Sequence, residues 1–129
     1  MYEAYKDKVA FFVVYIREAH AIDGHLPMEF GTIEDPITAA ERSKVARKCV
    51  AGMKLSMPAI VDKMDDAVSL DYHGWPERLY LVGKDGKVVY AGGPGPFQFE
   101  PAELDAAIRK MLAGAKSTPV DSAIPKKQR

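Results

Sequence analysis

The chain has 129 residues, of which 47% are hydrophobic and 28% charged, and its 18 Lys and Arg residues balance 18 Asp and Glu residues. This length and composition predict one soluble globular domain that buries roughly two-thirds of its unfolded surface, so no disulfide or structural metal is needed for folding. A single cysteine excludes an internal disulfide, and scattered basic residues with zero net charge argue against nucleic acid and anionic membranes as partners.

The longest uninterrupted apolar run, Val9 to Ile16, is far shorter than the roughly 20 residues of a bilayer-spanning helix. The polar residues 1–8 lack the basic and apolar layout of a secretory signal. We therefore expect a cytoplasmic protein with no membrane partner.

The N-terminal half begins with a strand and a long loop. Residues 8–16 are β-branched and aromatic on both faces, which predicts a buried central strand. From residue 17 to 36 the periodicity disappears and turn-forming residues accumulate, such as Asp23-Gly24. Loops of this length in compact domains are usually functional.

A helix is predicted over residues 38–54. Thr38 and Glu41 have the spacing of a capping box, and Val45, Cys49 and Met53 form an apolar stripe at helical spacing. A short strand at residues 59–61 follows, and one or two helical turns within residues 65–72 come next.

The C-terminal half is predicted to contain a hairpin and a helix. Residues 79–82 and 87–90 read as strands on either side of Asp85-Gly86, a strong hairpin signal. Pro101 can begin a helix that ends near Gly114. Residues 116–129 have little apolar content and are expected to form a flexible tail, which leaves a domain over residues 1–115.

This order of elements gives a parallel crossover followed by an antiparallel hairpin. It corresponds to an α/β, thioredoxin-like fold, a mixed sheet with flanking helices, without its N-terminal strand and most of its first helix. Residues 1–8 would be the last turns of that helix, with Tyr2 and Tyr5 facing inward.

Four segments in order resemble the iodothyronine deiodinase family, and the resemblance runs from about Tyr2 to Leu112. The segments are Val14-Tyr15-Ile16-Arg17-Glu18-Ala19-His20-Ala21-Ile22-Asp23-Gly24, Val61-Asp62-Lys63-Met64, Pro76-Glu77-Arg78-Leu79-Tyr80, and Tyr90-Ala91-Gly92-Gly93-Pro94-Gly95-Pro96. The resemblance implies a thioredoxin fold and reductive removal of iodine from iodinated thyronines, with a thiol as reductant in the complete enzyme. We expect a bacterial-type relative that is truncated at its N-terminus.

The family's nucleophile is a selenocysteine, or a cysteine in some microbial relatives, in a Phe-Gly-Ser-x-Thr-x-Pro-like segment. That segment does not occur in these 129 residues, and the chemistry requires its selenolate or thiolate. Two explanations are open. The sequence is a fragment of a reading frame interrupted by an in-frame UGA codon, or the protein is a truncated pseudoenzyme.

The family resemblance assigns proton handling to Glu18 and His20, and substrate contact to His20. Two residues apart in an extended segment, their side chains would project to the same side. An imidazole titrating near neutrality could hydrogen-bond a phenol or transfer a proton; the alternative is an ordinary loop histidine. His25 stands where the family usually has tryptophan, and Pro36 where it often has a second histidine.

Arg78, Pro76 and Tyr15 complete the candidate site. The counterpart of Arg78 is proposed to hold a substrate's charged group, which a guanidinium fork suits, whereas the alternative is an ion pair with Glu77 or Asp62. Pro76 is placed like the cis-proline that borders thioredoxin-like active sites. Tyr15 lies in the predicted strand, either as a substrate contact or as core packing whose hydroxyl needs a partner.

The spacing of histidine and cysteine residues predicts neither a metal site nor a cofactor. The expected partner is a small-molecule substrate. A rival function is a noncatalytic binding module that recognises partners through the loop around His20 and an exposed sheet edge, which also allows a homodimer. A further rival is a thiol peroxidase that uses Cys49 and requires this residue to be exposed, although free cysteine is usually buried.

Overall fold

The computed structural model describes residues 1–29 and 31–114. Contacts divide the chain into two compact units, Met1–Leu70 (the first unit) and Asp71–Arg129 (the second unit), so the domain predicted over residues 1–115 spans both. The tail predicted at 116–129 lies outside the described residues. The elements are α1 (Tyr2–Tyr5), β1 (Val13–Tyr15), α2 (Ala39–Gly52), β2 (Ala59–Val61), α3 (Ala67–Asp71), β3 (Tyr80–Val82), β4 (Val88–Ala91) and α4 (Pro101–Leu112).

The first unit is built on the parallel pair β1 and β2, in which Val14 lies opposite Ile60. The prediction of a buried strand over residues 8–16 is wrong in length and in burial. Only Val13–Tyr15 are in β1, all three are half-buried, and Phe12 is 59% exposed. The physical reason is pairing: a central strand needs neighbours on both edges, and within the described residues β1 pairs with β2 alone.

The predicted helix over residues 38–54 is confirmed as α2. The Thr38 side chain accepts a hydrogen bond from the Glu41 backbone, and the Glu41 carboxylate accepts one from the Thr38 N–H at 3.1 Å. Both bonds satisfy N–H groups that the first turn of a helix leaves without partners. Ala46 is buried on the inner face, whereas Met53, at the end of the predicted stripe, is 65% exposed.

The segment after β2 is fixed by the Asp62 carboxylate. Its oxygens accept hydrogen bonds from the backbone N–H groups of Lys63, Val68 and Ser69, at 2.8, 3.1 and 2.8 Å. These bonds hold α3 against the end of β2. The predicted helical turns within 65–72 are thus confirmed, and Asp62 is itself buried.

The second unit is an antiparallel hairpin covered by a helix. β3 and β4 pair with Tyr80 opposite Ala91, as the hairpin prediction requires. Gly86 turns the chain with φ of 77°, a conformation that glycine adopts without a steric penalty. α4 contacts both strands and contributes the buried side chains Leu104 and Ile108 to the core.

The described strands form two separate two-stranded sheets, β1–β2 and β3–β4, and not the single mixed sheet expected from the sequence. The relative direction of the paired strands is as predicted: β1 and β2 are parallel, and β3 and β4 are antiparallel. The part of the chain that the structure describes is therefore a mixed α/β protein. No helix in it is long and apolar enough to cross a membrane.

Candidate functional site

Tyr15 and Glu18 form a hydrogen-bonded pair where β1 ends. The Tyr15 hydroxyl donates to the Glu18 carboxylate, and both side chains are half-buried. Burial raises the pKa of Tyr15, and the Glu18 acceptor with its negative charge raises this pKa further. Tyr15 therefore remains protonated at neutral pH, and its proton is directed at Glu18.

His20 lies five residues after β1 and is exposed to solvent. Its Nδ1 atom is 2.9 Å from the carbonyl oxygen of Leu26. Because a carbonyl oxygen only accepts, Nδ1 must carry a proton in this contact. In the neutral imidazole, Nε2 is then the proton acceptor, available to a substrate or to a protonated group.

The loop that carries His20 is closed by polar contacts between its two ends. Arg17 Nε lies 3.1 Å from Asp35 Oδ2, and the Asp35 N–H donates to Asp23 Oδ1 at 2.8 Å. A backbone hydrogen bond from the Ile22 N–H to the Ile33 carbonyl, at 2.9 Å, adds a third link. The loop therefore holds His20 in a defined position although its described residues form no helix or strand.

Three apolar residues close to His20 in the sequence are exposed to solvent. Ile22, Leu26 and Met28 are 44%, 58% and 55% exposed. The same loop thus carries a hydrogen-bonding nitrogen and exposed apolar side chains, which suits a ligand with a phenolic or similar polar group on an apolar body.

Glu18 and His20 are not paired as their spacing predicted. The expected same-side projection assumes an extended chain, but β1 ends at Tyr15 and bends follow at Arg17, Ala19 and His20. Glu18 turns back to Tyr15, and His20 contacts Leu26. The Tyr15 hydroxyl has the partner that its enclosure requires.

Arg78 lies in the second unit, at the start of β3. Its Nε donates to the Gly92 carbonyl at 2.5 Å, and its guanidinium carbon is 5.4 Å from the centre of the Tyr80 ring. Within the described residues it makes no ion pair with Glu77 or Asp62. One edge of the guanidinium is therefore fixed by the protein, while its terminal nitrogens can meet an anion.

Two proline loops adjoin Arg78. The Trp75–Pro76 and Gly95–Pro96 peptide bonds are both cis, and the Gly95 N–H donates to the Glu77 carbonyl at 2.9 Å. A Cβ on Gly95 would overlap the Glu77 side chain, which would have to move to admit a larger residue. The sequence suggested the first cis bond but gave no signal for the second.

Cys49 is half-buried on α2, and its thiol lies 3.6 Å from the Met53 sulfur. It is neither fully enclosed in the core nor freely exposed. Across residues 1–29 and 31–114, no three His, Cys, Asp or Glu side chains are grouped so that they could hold a metal ion.

A buried ion pair close to the site was missed at the sequence level. Arg42 is 2% exposed, and its Nη1 donates to the Lys63 carbonyl at 2.6 Å and to Asp66 Oδ1 at 2.7 Å. Its position one turn before Ala46, on the inner face of α2, was the available signal. The pair joins α2 to the segment after β2, whose Asp62 N–H donates to the Tyr15 carbonyl at 2.8 Å.

Comparison with known proteins gives the family. The model of the iodothyronine deiodinase family matches residues 1–112. This chain belongs to the iodothyronine deiodinase family. It is 31% identical over 100 residues to a type I iodothyronine deiodinase of Xenopus laevis, and 37% identical over 101 residues to a thyroxine 5-deiodinase of Sparus aurata. A type II iodothyronine deiodinase of Petromyzon marinus is 34% identical over 111 residues.

These alignments cover 78–80% of this chain but only 36–39% of each relative. The family membership confirms the resemblance carried by the four segments. The family match includes Tyr15, Glu18, His20 and Arg78.

Proposed function

We propose that this chain is the substrate-binding and proton-handling part of a deiodinase-like oxidoreductase with a thioredoxin-like fold. The observation that carries the proposal is the His20 imidazole, held through Nδ1 by the Leu26 carbonyl so that Nε2 is available, in a loop that also exposes apolar side chains. The substrate class is an iodinated phenol, and the reaction is the reductive replacement of iodine by hydrogen. Membership of the deiodinase family supports this assignment.

His20 would accept a hydrogen bond from the substrate's phenolic hydroxyl through Nε2. The Tyr15–Glu18 pair would fix the chain immediately before it, because both residues are half-buried and joined to each other. Such a rigid support keeps the imidazole at a constant distance from its ligand. Separately, Arg78 in the second unit has terminal nitrogens without a partner among the described residues, and we propose that they bind a carboxylate.

The nucleophile would come from a segment that is not among these 129 residues. Cys49 is the only cysteine in the sequence, and it is half-buried against Met53. A selenol or thiol would attack iodine, take it from the carbon, and leave the aromatic carbon to be protonated. One thiol would then displace iodide from the iodinated nucleophile to form a mixed disulfide or selenosulfide, and a second thiol would regenerate the nucleophile and leave as a disulfide. The thioredoxin-like fold with a truncated N-terminus, and action in the cytoplasm, are parts of the same proposal.

The histidine assignment is tested by binding, which does not require the nucleophile. An iodinated phenol that carries a carboxylate is titrated into the protein, and NMR follows the backbone amide signals. We expect saturable shifts centred on residues 20–28 and roughly fivefold to tenfold weaker binding in His20→Ala, as the loss of one well-placed hydrogen bond implies. His25→Ala, the same change at an exposed histidine in the same loop, should bind normally; equal losses in both variants would contradict the proposal.

The arginine assignment is tested with a pair of ligands. Arg78→Gln should weaken binding of the carboxylate compound but not of the corresponding neutral phenol. Arg109→Gln, on the exposed face of α4, is the matched control and should affect neither. If Arg78→Gln weakened both ligands alike, the arginine would have a structural role in its own unit.

A noncatalytic binding module is the second candidate, and one observation favours it. All three residues of β2 are exposed, with Ile60 at 49% and Val61 at 37%, and Phe12 next to β1 is 59% exposed. Exposed apolar strands are typical of surfaces that pair with another chain, including a second copy. Size-exclusion chromatography with light scattering distinguishes the cases, since a stable homodimer would favour this function and a monomer that binds iodinated phenols would favour the first.

A further inference from the structure

A groove of about 450 Å³ lies between α2 and β2, wholly within the first unit. This volume falls within the range of about 300–1,000 Å³ that is typical of small-molecule sites. Neither the family match nor the proposed deiodinase-like function assigns a role to this groove. The groove does not include Tyr15, Glu18 or His20.

The groove exists because several side chains on the facing side of α2 are small. On α2 it is lined by Ser43, Ala46, Arg47, Val50 and Ala51, whose spacing of three and four residues marks one face of a helix. Three of these five side chains are small, so the helix and the strand cannot fill the space between them. The floor of the groove is therefore apolar and open.

The stretch of chain that forms the groove is rich in basic residues. Residues 42–61 contain five Lys and Arg residues and no Asp or Glu, although the whole chain has zero net charge. Arg42 is paired with Asp66, whereas the other four make no ion pair within the described residues. Arg47 and Lys54 line the groove itself and are both exposed.

We propose that this groove binds a small amphipathic carboxylate with a linear aliphatic tail. The tail lies over Val50, Leu55 and Val61, and the carboxylate meets both Arg47 and Lys54 at the rim. An apolar floor alone would accept any apolar ligand. The unpaired cations select one that carries a negative charge at one end, because a charge-assisted hydrogen bond to a guanidinium or ammonium group requires an anionic acceptor.

The probe is decanoate, kept below its micelle concentration, and the readout is a set of backbone amide shifts in the 129-residue protein. We expect saturable shifts confined to residues 43–61 and about fivefold weaker binding of decanol, the neutral analogue, as expected for the loss of one partly exposed charge contact. Added salt should weaken the binding of decanoate and leave that of decanol unchanged.

Two sets of variants, one of charged and one of small residues and each with its own control, locate the site. Arg47→Gln and Lys54→Gln should each weaken decanoate binding, while Lys48→Gln, on the same helix but outside the groove, should not. Ala51→Leu fills the groove and should abolish binding. Ala40→Leu makes the same change at an exposed position of α2 outside the groove and should leave binding intact.

Three results would overturn the proposal. Decanol could bind as tightly as decanoate, which would remove the role of the cations. Decanoate shifts could fail to saturate or could spread over both units. The groove residues could shift with protein concentration alone, which would show that a second copy covers them. His20→Ala should leave decanoate binding unchanged, so failure here and failure of the proposed function are separable.

Discussion

Neutralising Asp66 should destabilise the protein far more than neutralising its neighbour Asp65. The Arg42 side chain is 3% exposed and Asp66 is 25% exposed. In Asp66→Asn the oxygen acceptor is kept, and asparagine tolerates the positive φ of 55° at this position. The change thus removes the charge while leaving the backbone and the hydrogen bond in place.

The expected loss follows from the buried charge that remains. Removing one partner of a buried ion pair typically costs about 3–5 kcal/mol, because the other charge stays desolvated. Two features place the loss near the lower end of this range, at about 3 kcal/mol. Asp66 is partly exposed, and the Lys63 carbonyl, 2.6 Å from Arg42 Nη1, still accepts a hydrogen bond from the guanidinium. Asp65 is exposed, forms no ion pair within the described residues and accepts a hydrogen bond from the Ala67 N–H at 3.2 Å. Asp65→Asn keeps an oxygen acceptor and should change the free energy of unfolding by no more than about 0.5 kcal/mol.

Urea unfolding monitored by circular dichroism measures both free energies of unfolding. With a slope of about 1–3 kcal/mol per molar urea, a loss of 3 kcal/mol moves the midpoint by at least about 1 M. The double variant Arg42→Met with Asp66→Asn should recover much of the loss, since it leaves no buried charge. Equal midpoints for Asp66→Asn and Asp65→Asn would refute the claim that this pair stabilises the first unit.

Three further changes test the local structure. Thr38→Ala should cost about 1 kcal/mol of unfolding free energy because it breaks the capping box with Glu41, whereas Thr38→Ser should retain most of it. Gly86→Ala should cost about 1–2 kcal/mol through its positive φ, while Gly52→Ala, at the end of α2 in open space, should cost nothing. The raised folded pKa of Tyr15 contributes stability that is present below the unfolded pKa of about 10 and is lost as pH rises towards the folded value. Wild type should therefore lose more unfolding free energy between pH 8 and pH 11 than Tyr15→Phe, and identical losses would contradict the raised pKa.

The elements that the sequence predicted well are those specified by local chemistry. The capping box of Thr38 and Glu41 places the start of α2, and Asp85-Gly86 places the turn between β3 and β4. Each signal acts within a few residues, so no knowledge of the tertiary structure is needed.

The errors concern features that depend on partners distant in sequence. The apolar composition of residues 8–16 showed strand propensity, but the length and burial of β1 depend on pairing with β2. Its end at Tyr15 in turn redirected Glu18 away from His20.

The same limit applies to the candidate site. Family resemblance identified His20 and Arg78, yet the groups that fix them are backbone carbonyls, those of Leu26 and Gly92. A carbonyl is present at every residue, so its role has no sequence signature. The buried Arg42–Asp66 pair is likewise formed by residues 24 positions apart.

The most direct test of the proposed function is a turnover assay of the protein purified from its native host, together with its intact mass. Release of iodide from an iodinated phenol is measured with a thiol reductant. The proposal predicts a mass that includes a selenocysteine- or cysteine-bearing segment beyond these 129 residues, measurable iodide release, and a rate reduced at least about 100-fold in His20→Ala but not in His25→Ala. A native protein that begins at Met1 and releases no iodide, or equal rates in the two histidine variants, would contradict it.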